Sequence, residues 1–201
     1  LQGDWSSDVC SSDLDSPVRR AAHLAREASR TLATLSTGAK NALLRDLAAA
    51  VRAQTNTILE ANRADVASAA NLTEAKLKRL RLTEASLAQL ALGLEQIAQL
   101  PDPVGEVTDE RAVPSGLRVA RARIPLGVIA MIYEARPGVT LDAFALAFKS
   151  GNAVLLKGGR ESARANAAMA SLARTLLGEH RLPEHALTDL SHLSREDVRE
   201  L

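Results

Sequence analysis

Two short polar stretches contain the residue types that could bind an anionic ligand. Lys157-Gly158-Gly159-Arg160 follows the apolar run AVLL, and Tyr133-Glu134-Ala135-Arg136-Pro137-Gly138 follows the apolar run LGVIAMI. Glycines let the backbone approach a ligand closely, and arginine can bind a phosphate through two parallel hydrogen bonds. Each stretch could therefore bind a phosphate or carboxylate group, and the lysine could also reach a ribose.

Both stretches also have structural interpretations. Residues 157–160 are consistent with a tight turn that carries two solvated cations, and Glu134, Arg136 and Asp142 could pair among themselves. The sequence contains no G-x-G-x-x-G motif at this turn, so the usual dinucleotide fingerprint gives no support. Spacing alone leaves ligand binding and structural roles open at both places.

The other reactive residue types show no catalytic or metal-binding pattern. Metal-ligand spacing is absent among the four histidines, which are His23, His180, His185 and His192. Cys10 has no neighbouring cation or helix start that would favour its thiolate form. No G-x-S-x-G elbow or pair of catalytic carboxylates is present. We predict no metal site and no catalytic residue within the chain.

The two polar stretches are predicted to follow neighbouring strands of a parallel sheet. Residues 126–132 and 153–157 are short apolar runs, as is typical of strands buried on both faces. The pattern between them is helical, with Thr140 as its N-cap and Gly151 just past its end. A strand, a helix and a second strand form a βαβ unit, whose strands end at the same sheet edge.

A further helix is predicted after the glycine pair, starting near Glu161 or Ser162 and running to about Leu177, with Gly178 as its terminator. Because helix N-termini favour anions, the start of this helix adds to the case for an anion site. Residues 186–190 could form a third strand. The predicted fold class is therefore α/β.

The front of the chain is predicted to be a helical block. Four of its helices start at a Ser or Thr cap before apolar positions at helical spacing, at Ser16, Ser36, Thr73 and Thr83. Another helical segment spans residues 57–70, and residues 117–123 look like an edge or hairpin strand. We divide the chain into a head (1–15), the helical block (16–103), a connector with an extended arm (104–123) and a partial α/β domain (124–201).

Both ends of the sequence look incomplete. The segment from Asp4 to Ser16 is crowded with Ser and Asp, has no helical or strand period, and contains the only Trp and the only Cys. It is interpreted as non-native sequence, with a disordered native N-terminus as the alternative. Ser194 predicts the start of a helix, and the chain stops at Leu201 about two turns later. We expect a fragment.

Composition excludes several classes of partner. The 201 residues carry 25 basic and 24 acidic side chains, so a net charge of +1 creates no long-range field for nucleic acid or anionic lipid. The longest apolar runs are too short to span a bilayer. One cysteine cannot form an internal disulfide framework, which fits a reducing cytosol. We predict a cytoplasmic protein with no nucleic-acid or membrane partner.

Three motifs in order carry a family resemblance: PLGVI at residues 125–129, YEARP at 133–137 and SGNAVLLKGG at 150–159. The chain resembles the gamma-glutamyl phosphate reductase family, also called glutamate-5-semialdehyde dehydrogenases, of the aldehyde dehydrogenase superfamily. The resemblance extends over residues 18–201 and is that of an N-terminal fragment. It implies an aldehyde-dehydrogenase-like fold, in which a truncated NADP-binding domain follows the helical block.

The resemblance also implies an activity. Members of this family use NADPH to reduce L-glutamyl 5-phosphate to L-glutamate 5-semialdehyde, with release of phosphate, in proline biosynthesis. In the superfamily a cysteine thiolate attacks the acyl carbon, and hydride then reduces the thioester. The family places that cysteine beyond Leu201, so the isolated chain is expected to be inactive. A homo-oligomeric parent protein that binds this small-molecule substrate is also implied.

The cofactor residues implied by the resemblance are those of the glycine turn. Lys157 matches the superfamily lysine that holds the adenosine ribose, and Gly158 and Gly159 follow it in the cofactor-binding turn. Arg160 stands where NAD-preferring relatives often have an acid. A cation at that position would favour the 2′-phosphate of NADP.

The substrate residues implied by the resemblance are Glu134 and Arg136, which match the loop that approaches the reacting carbon. Arg136 is the main candidate to contact the substrate or its phosphate. Gly138 stands where the family usually has Asn, which weakens any role assigned to that position. The alternatives are another aldehyde or acyl-phosphate dehydrogenase of the superfamily, and a non-catalytic cofactor-binding or helical interaction module.

Overall fold

The structure is a computed structural model, and it describes residues 16–69 and 72–199. Its helices are α1 (Pro17–Ala33), α2 (Thr37–Ala53), α3 (Thr55–Ser68), α4 (Glu74–Leu80), α5 (Glu84–Gln99), α6 (Val139–Lys149), α7 (Ala163–Glu179) and α8 (Arg195–Val198). Its strands are β1 (Val107–Ala112), β2 (Arg118–Ala122), β3 (Val128–Ile132), β4 (Ala153–Lys157) and β5 (Leu187–Asp189). The predicted α/β fold class is confirmed. The predicted head and Cys10 lie outside the described residues.

The strands form two separate sheets. β1 and β2 pair as an antiparallel hairpin, whereas β3, β4 and β5 form a parallel sheet in that order. In the parallel sheet Val128 lies opposite Ala153, and Ile132 lies opposite Lys157. α6 connects β3 to β4, and α7 connects β4 to β5. The register therefore brings the carboxyl ends of β3 and β4 together, as the sequence predicts.

One continuous hydrophobic core joins the helical front of the chain to the parallel sheet. Leu32 of α1, Leu47 of α2 and Phe144 of α6 are completely buried, and Leu155 of β4 is 2% exposed. Most of the core residues are Leu, Ala and Val. Packing against this shared core holds α2 and α3 against the helices of the α/β unit, because burial of apolar surface is the main stabilising contribution to folding. The predicted domain boundaries remain a prediction.

At two helix ends the capping residue differs from the one expected from the sequence. α6 begins at Val139 with Gly138 as its N-cap, so Thr140 lies inside the first turn and does not cap the helix. α7 continues past the predicted terminator to Glu179, and Arg181 takes the left-handed conformation (φ 56°) after the helix ends. A left-handed residue just past the last turn is a common way for a helix to close, so Arg181 and not the glycine ends α7.

The predictions for the strands also need correction. β3 is less buried than its apolar sequence suggests, since Met131 is 40% and Ile132 is 66% exposed. Its position explains this, because β3 pairs only with β4 within the described part of the chain. β1 (residues 107–112) is absent from the sequence prediction. It is fully exposed and charged, and its pairing with β2 gives it strand structure without any hydrophobic alternation.

A buried ion pair connects α2 to the segment after α5. Lys40, which is completely buried, donates to Oδ2 of Asp102 at 2.9 Å and to Oδ1 at 3.1 Å. Thr37 Oγ1 and the Val104 N–H also donate to this carboxylate, at 2.9 Å and 3.0 Å. Burial alone would raise the pKa of Asp102, but these hydrogen bonds together hold its pKa below the usual value. Asp102 is therefore a charged carboxylate at neutral pH.

Breaking this pair from one side should be costly. We expect Asp102→Asn to lower the free energy of unfolding by about 3–5 kcal/mol, because it leaves the Lys40 charge buried without a counter-charge. Urea unfolding of the 201-residue chain at pH 7 measures this change. The double variant Lys40→Met/Asp102→Leu should recover most of the loss.

The Lys40–Asp102 ion pair should also make the free energy of unfolding depend on pH in the acid range. Folding lowers the pKa of Asp102, so its ionised carboxylate contributes to the free energy of unfolding. This contribution is fully present above the usual aspartate pKa of about 3.9 and is lost as the pH falls through the lowered pKa. Arg52→Gln, which breaks an exposed pair with Glu95, serves as the control and should change stability little. An equally small effect of Asp102→Asn would contradict this account.

Candidate functional site

A cleft of about 780 Å³ opens at the carboxyl ends of β3 and β4. Its volume lies within the range of small-molecule and cofactor sites, about 300–1,000 Å³. It is lined by Leu72, Lys76 and Arg79 in and before α4, by residues 132–135 after β3, by residues 157–161 after β4, and by Ser194 and Glu196. Ligands of open α/β sheets bind at this edge.

The structure brings five of the six predicted site residues together in this cleft: Lys157, Gly158, Gly159, Arg160 and Glu134. The sixth residue, Arg136, does not line it. Arg136 lies in a neighbouring depression of about 240 Å³, which it shares with Gly138 and Asp142. Arg79 borders both cavities, so the two predicted ligand regions are contiguous but separate.

The cofactor turn after β4 has one buried and one exposed cation. Lys157 is only 8% exposed, and its ammonium group donates to the carbonyl oxygen of Gly158 at 3.1 Å. Arg160 is exposed in a short 3-10 turn, Arg160–Ser162, that leads into α7. The lysine can therefore contact a ligand at the base of the cleft, and the arginine can contact it at the rim.

Internal packing explains why both turn positions are glycine. A Cβ atom added to Gly158 would lie 2.1 Å from Asn166 Nδ2 and 3.1 Å from the ring of Tyr133. A Cβ atom on Gly159 would lie 3.2 Å from the backbone nitrogen of Ala135. The sequence predicts that a ligand approaches here, whereas the structure fills this space with protein atoms. Cofactor binding by the two glycines remains a prediction.

A buried hydrogen-bond network lies beneath the cleft, with Asn166 of α7 at its centre. Asn166 is completely buried, and its oxygen accepts from Thr140 Oγ1 at 3.1 Å. Its nitrogen donates to Ser162 Oγ at 3.1 Å and to Ser191 Oγ at 3.3 Å. Because Thr140 donates to Asn166, the Tyr133 hydroxyl must be the donor in its 2.8 Å bond to Thr140.

The network extends to the turn after β4 and to the last residue of β5. Ser162 donates to the carbonyl oxygen of Gly159 at 3.1 Å, in the turn after β4. Ser191 donates to the carboxylate of Asp189, the last residue of β5. The hydroxyls of Thr140, Ser162 and Ser191 therefore both accept and donate, which is the arrangement that buried polar groups require.

A carboxylate of the helical block occupies the start of α7. Asp65 of α3 is 3% exposed, and its oxygens accept from the backbone N–H groups of Arg164, at 3.2 Å, and of Ala165, at 2.9 Å. The Arg164 guanidinium lies 3.5 Å from the same carboxylate. The expectation that this helix start offers an anion site is therefore corrected, because Asp65 already satisfies its donors.

The charged groups of the cleft nearly balance. Its lining has four cations, Lys76, Arg79, Lys157 and Arg160, against three acids, Glu134, Glu161 and Glu196. Arg79 and Glu134 form an ion pair at 3.4 Å. These side chains can hold an anionic ligand by charge pairing and hydrogen bonds. Residues 16–69 and 72–199 contain no cluster of three or more His, Cys, Asp or Glu that could hold a metal, and no helix able to cross a membrane.

Sequence analysis missed three residues that shape the site. Lys76 and Arg79 lie in a short helix whose leucines indicate only a core position, and Asp65 lies about a hundred residues from the helix it caps. The two cations are spaced i, i+3, a pattern that places them together on one face of the helix. Nothing in the sequence indicates what that face meets.

Known proteins match most of this chain. A gamma-glutamyl phosphate reductase from Meiothermus ruber is 46% identical over 189 residues, covering 92% of this chain and 45% of that protein. Another from Xanthomonas oryzae pv. oryzae is 47% identical over 186 residues with the same coverage. The chain thus spans about half the length of the curated relatives it matches. No family model matches it.

Solved structures agree with the sequence relatives. The gamma-glutamyl phosphate reductase of Thermotoga maritima is similar with a TM-score of 0.85 at 37% identity, covering 90% of this chain and 44% of that one. The Saccharomyces cerevisiae enzyme has a TM-score of 0.84 at 32% identity, covering 89% and 47%. Over the matched length, the chain is similar in sequence and in structure to gamma-glutamyl phosphate reductases.

These matches confirm the resemblance carried by the three motifs. The fold is shared more widely, since a probable aldehyde dehydrogenase of Listeria monocytogenes has a TM-score of 0.70 at only 13% identity, over 92% of this chain. At that identity the likeness concerns the fold alone. The expected aldehyde-dehydrogenase-like fold is confirmed.

Tyr133 should lose its hydroxyl proton at a higher pH than an ordinary tyrosine does. Burial raises the pKa of Tyr133 to about 12, with a smaller contribution from the Asp189 carboxylate, while the hydrogen bond with Thr140 opposes the shift. Tyr133 is the only tyrosine in the chain, so absorbance at alkaline pH reports on it alone. We expect the folded chain to titrate near pH 12 and the urea-unfolded chain near its ordinary pKa of about 10.

The raised pKa also predicts how stability changes in alkali. Between the unfolded and folded pKa values the folded state binds more protons, so stability should fall as the pH rises from about 10 towards about 12. The variant Tyr133→Phe should lack this alkaline loss. A folded-state titration midpoint near 10 would show that the hydroxyl is not held in the network.

Proposed function

We propose that the protein to which this chain belongs uses NADPH to reduce L-glutamyl 5-phosphate to L-glutamate 5-semialdehyde and release phosphate, in proline biosynthesis. The observation that carries the proposal is the single cleft into which the turn at residues 157–160 and the loop at residues 132–135 both open. Sequence and structural similarity support the choice of reaction, because the matched relatives are gamma-glutamyl phosphate reductases.

The cofactor is proposed to lie against the turn after β4. NADPH would supply the hydride. Lys157, at the base of the cleft, would bind a ribose hydroxyl, and Arg160, at its rim, would pair with the 2′-phosphate. Gly158 and Gly159 would present the turn backbone to the ligand, and the cleft volume and cation excess fit such an anionic group. Because Asp65 caps α7, side-chain cations would hold the phosphate in place of the helix N-terminus.

The substrate is proposed to meet the loop after β3. Glutamyl 5-phosphate carries a carboxylate, a phosphate and an ammonium group. Arg136, exposed in the depression beside the cleft, would bind one of the two anionic groups, and Glu134 would suit the ammonium. The cysteine nucleophile would come from a part of the parent protein outside this sequence, since Cys10 is the only cysteine here and has no activating neighbours. The isolated chain would then bind ligands without turnover.

Further parts of the proposal follow the family resemblance. Residues 124–201 would belong to the NADP-binding domain and residues 16–103 to the helical block beside it. The parent protein would be a cytoplasmic homo-oligomer.

The reaction is best tested in reverse with the full-length protein. Incubation with glutamate 5-semialdehyde, phosphate and NADP should produce NADPH, followed by its absorbance, and should require phosphate. Replacing the aldehyde with other small aldehydes should lower the rate strongly. Reduction of NADP that does not require phosphate would contradict the proposal and favour an ordinary aldehyde dehydrogenase.

Cofactor choice provides a second test. Arg160→Glu should weaken NADPH binding by about tenfold or more while leaving NADH binding nearly unchanged, because a carboxylate would repel the 2′-phosphate. Calorimetric titration of the 201-residue chain with each dinucleotide measures both effects. Arg174→Glu, at an exposed position of α7 away from the cleft, is the matched control. Equal weakening by both variants would remove Arg160 from the proposed site.

A further inference from the structure

The cleft has a second pair of cations, on the helical block, that the proposed cofactor turn does not explain. Lys76 and Arg79 are three residues apart on α4 and both line the cleft. Leu80, the last residue of the same helix, is completely buried. α4 is therefore anchored on the protein through Leu80, while Lys76 and Arg79 line the cleft.

The side chain of Arg79 is held in place by a weak ion pair with Glu134. Its Nη1 atom lies 3.4 Å from Oε2 of Glu134, and the two side chains are 51% and 77% exposed. Ion pairs this exposed contribute little to stability, because water already solvates both charges. A phosphate accepts two parallel hydrogen bonds from one guanidinium and carries more charge than a carboxylate. A phosphate in the cleft would therefore compete successfully with Glu134 for Arg79.

We propose that Arg79, with Lys76 beside it, binds a phosphate group of the ligand, and that Glu134 is the internal counter-ion that this phosphate displaces. The inference rests on the proposed function, which makes the ligands of the cleft phosphate-bearing. It assigns α4 a direct part in binding, so that the ligand is held between the helical block and the sheet. It also gives Glu134 a role before the ligand arrives.

The phosphate could belong to the dinucleotide or to the acyl phosphate substrate. Both present the same chemistry to an arginine. Arg79 borders the cleft that holds the cofactor turn and also the depression that holds Arg136, so its position fits either source. The test therefore uses three probes: NADPH, NADH and inorganic phosphate.

The test is a calorimetric titration of the 201-residue chain and four variants with each probe. Arg79→Gln should weaken binding of the phosphate-bearing probe about tenfold, since a charged bidentate contact is lost. Glu134→Gln should strengthen binding several-fold, because the competing carboxylate is gone. The double variant should behave like Arg79→Gln alone. Arg81→Gln, an exposed arginine that does not line the cleft, should bind as the parent does.

The probe that loses affinity identifies the phosphate. Weakening with NADPH alone assigns the 2′-phosphate, equal weakening with both dinucleotides assigns the diphosphate, and weakening with inorganic phosphate alone assigns the substrate phosphoryl group. Unchanged binding of all three probes to Arg79→Gln would overturn the inference. So would weaker binding to Glu134→Gln, because a counter-ion must compete with the ligand.

The outcomes also separate this inference from the proposed function. If parent and Arg79→Gln bind all three probes equally well, the inference fails and the proposed cofactor site stands. If the chain binds phosphate through Arg79 but neither dinucleotide, the cofactor proposal fails and the inference stands. If no probe binds, both the inference and the cofactor proposal fail.

Discussion

A buried amide must satisfy all its hydrogen-bonding groups, and Asn166 does so by joining the ends of three strands. Through Thr140 it reaches Tyr133 after β3, and through Ser162 it reaches the turn after β4. Through Ser191 it reaches the end of β5. The sheet ladder positions the strands themselves, but the loops beyond the strands depend on this network. The cleft is therefore bounded by loops that share one support.

The hydrogen-bond network around Asn166 limits which groups of the cleft can contact a ligand. The glycine turn packs against Asn166 and Tyr133. The start of α7 is capped by Asp65, which already accepts from two of its backbone N–H groups. In the proposed site, recognition of an anionic ligand would then rely on side-chain cations at the base and rim of the cleft. An exposed arginine can exchange one anion for another at little cost in free energy.

Much of the fold was predictable because its signals are local. Ser16, Ser36 and Thr83 cap the helices after them, and the strand at residues 153–157 has the predicted bounds. The features that could not be predicted depend on contacts between distant residues. Thr140 has the residue type of a cap but serves the network, because its partner Asn166 lies 26 residues away. In the same way, sequence reasoning brought five site residues to one cleft but could not show that α4 forms its opposite side.

The most direct test of the central claim is hydrogen exchange in the variant Asn166→Ala. The account predicts faster amide exchange in three segments that are separate in sequence, namely the loops after β3, β4 and β5. A matched substitution of the buried Asn62, which instead bonds Leu80 and Leu82 near α4, should leave those three segments unchanged. Faster exchange confined to the first turn of α7 would contradict the account, because it would show that the strand ends are held independently of Asn166.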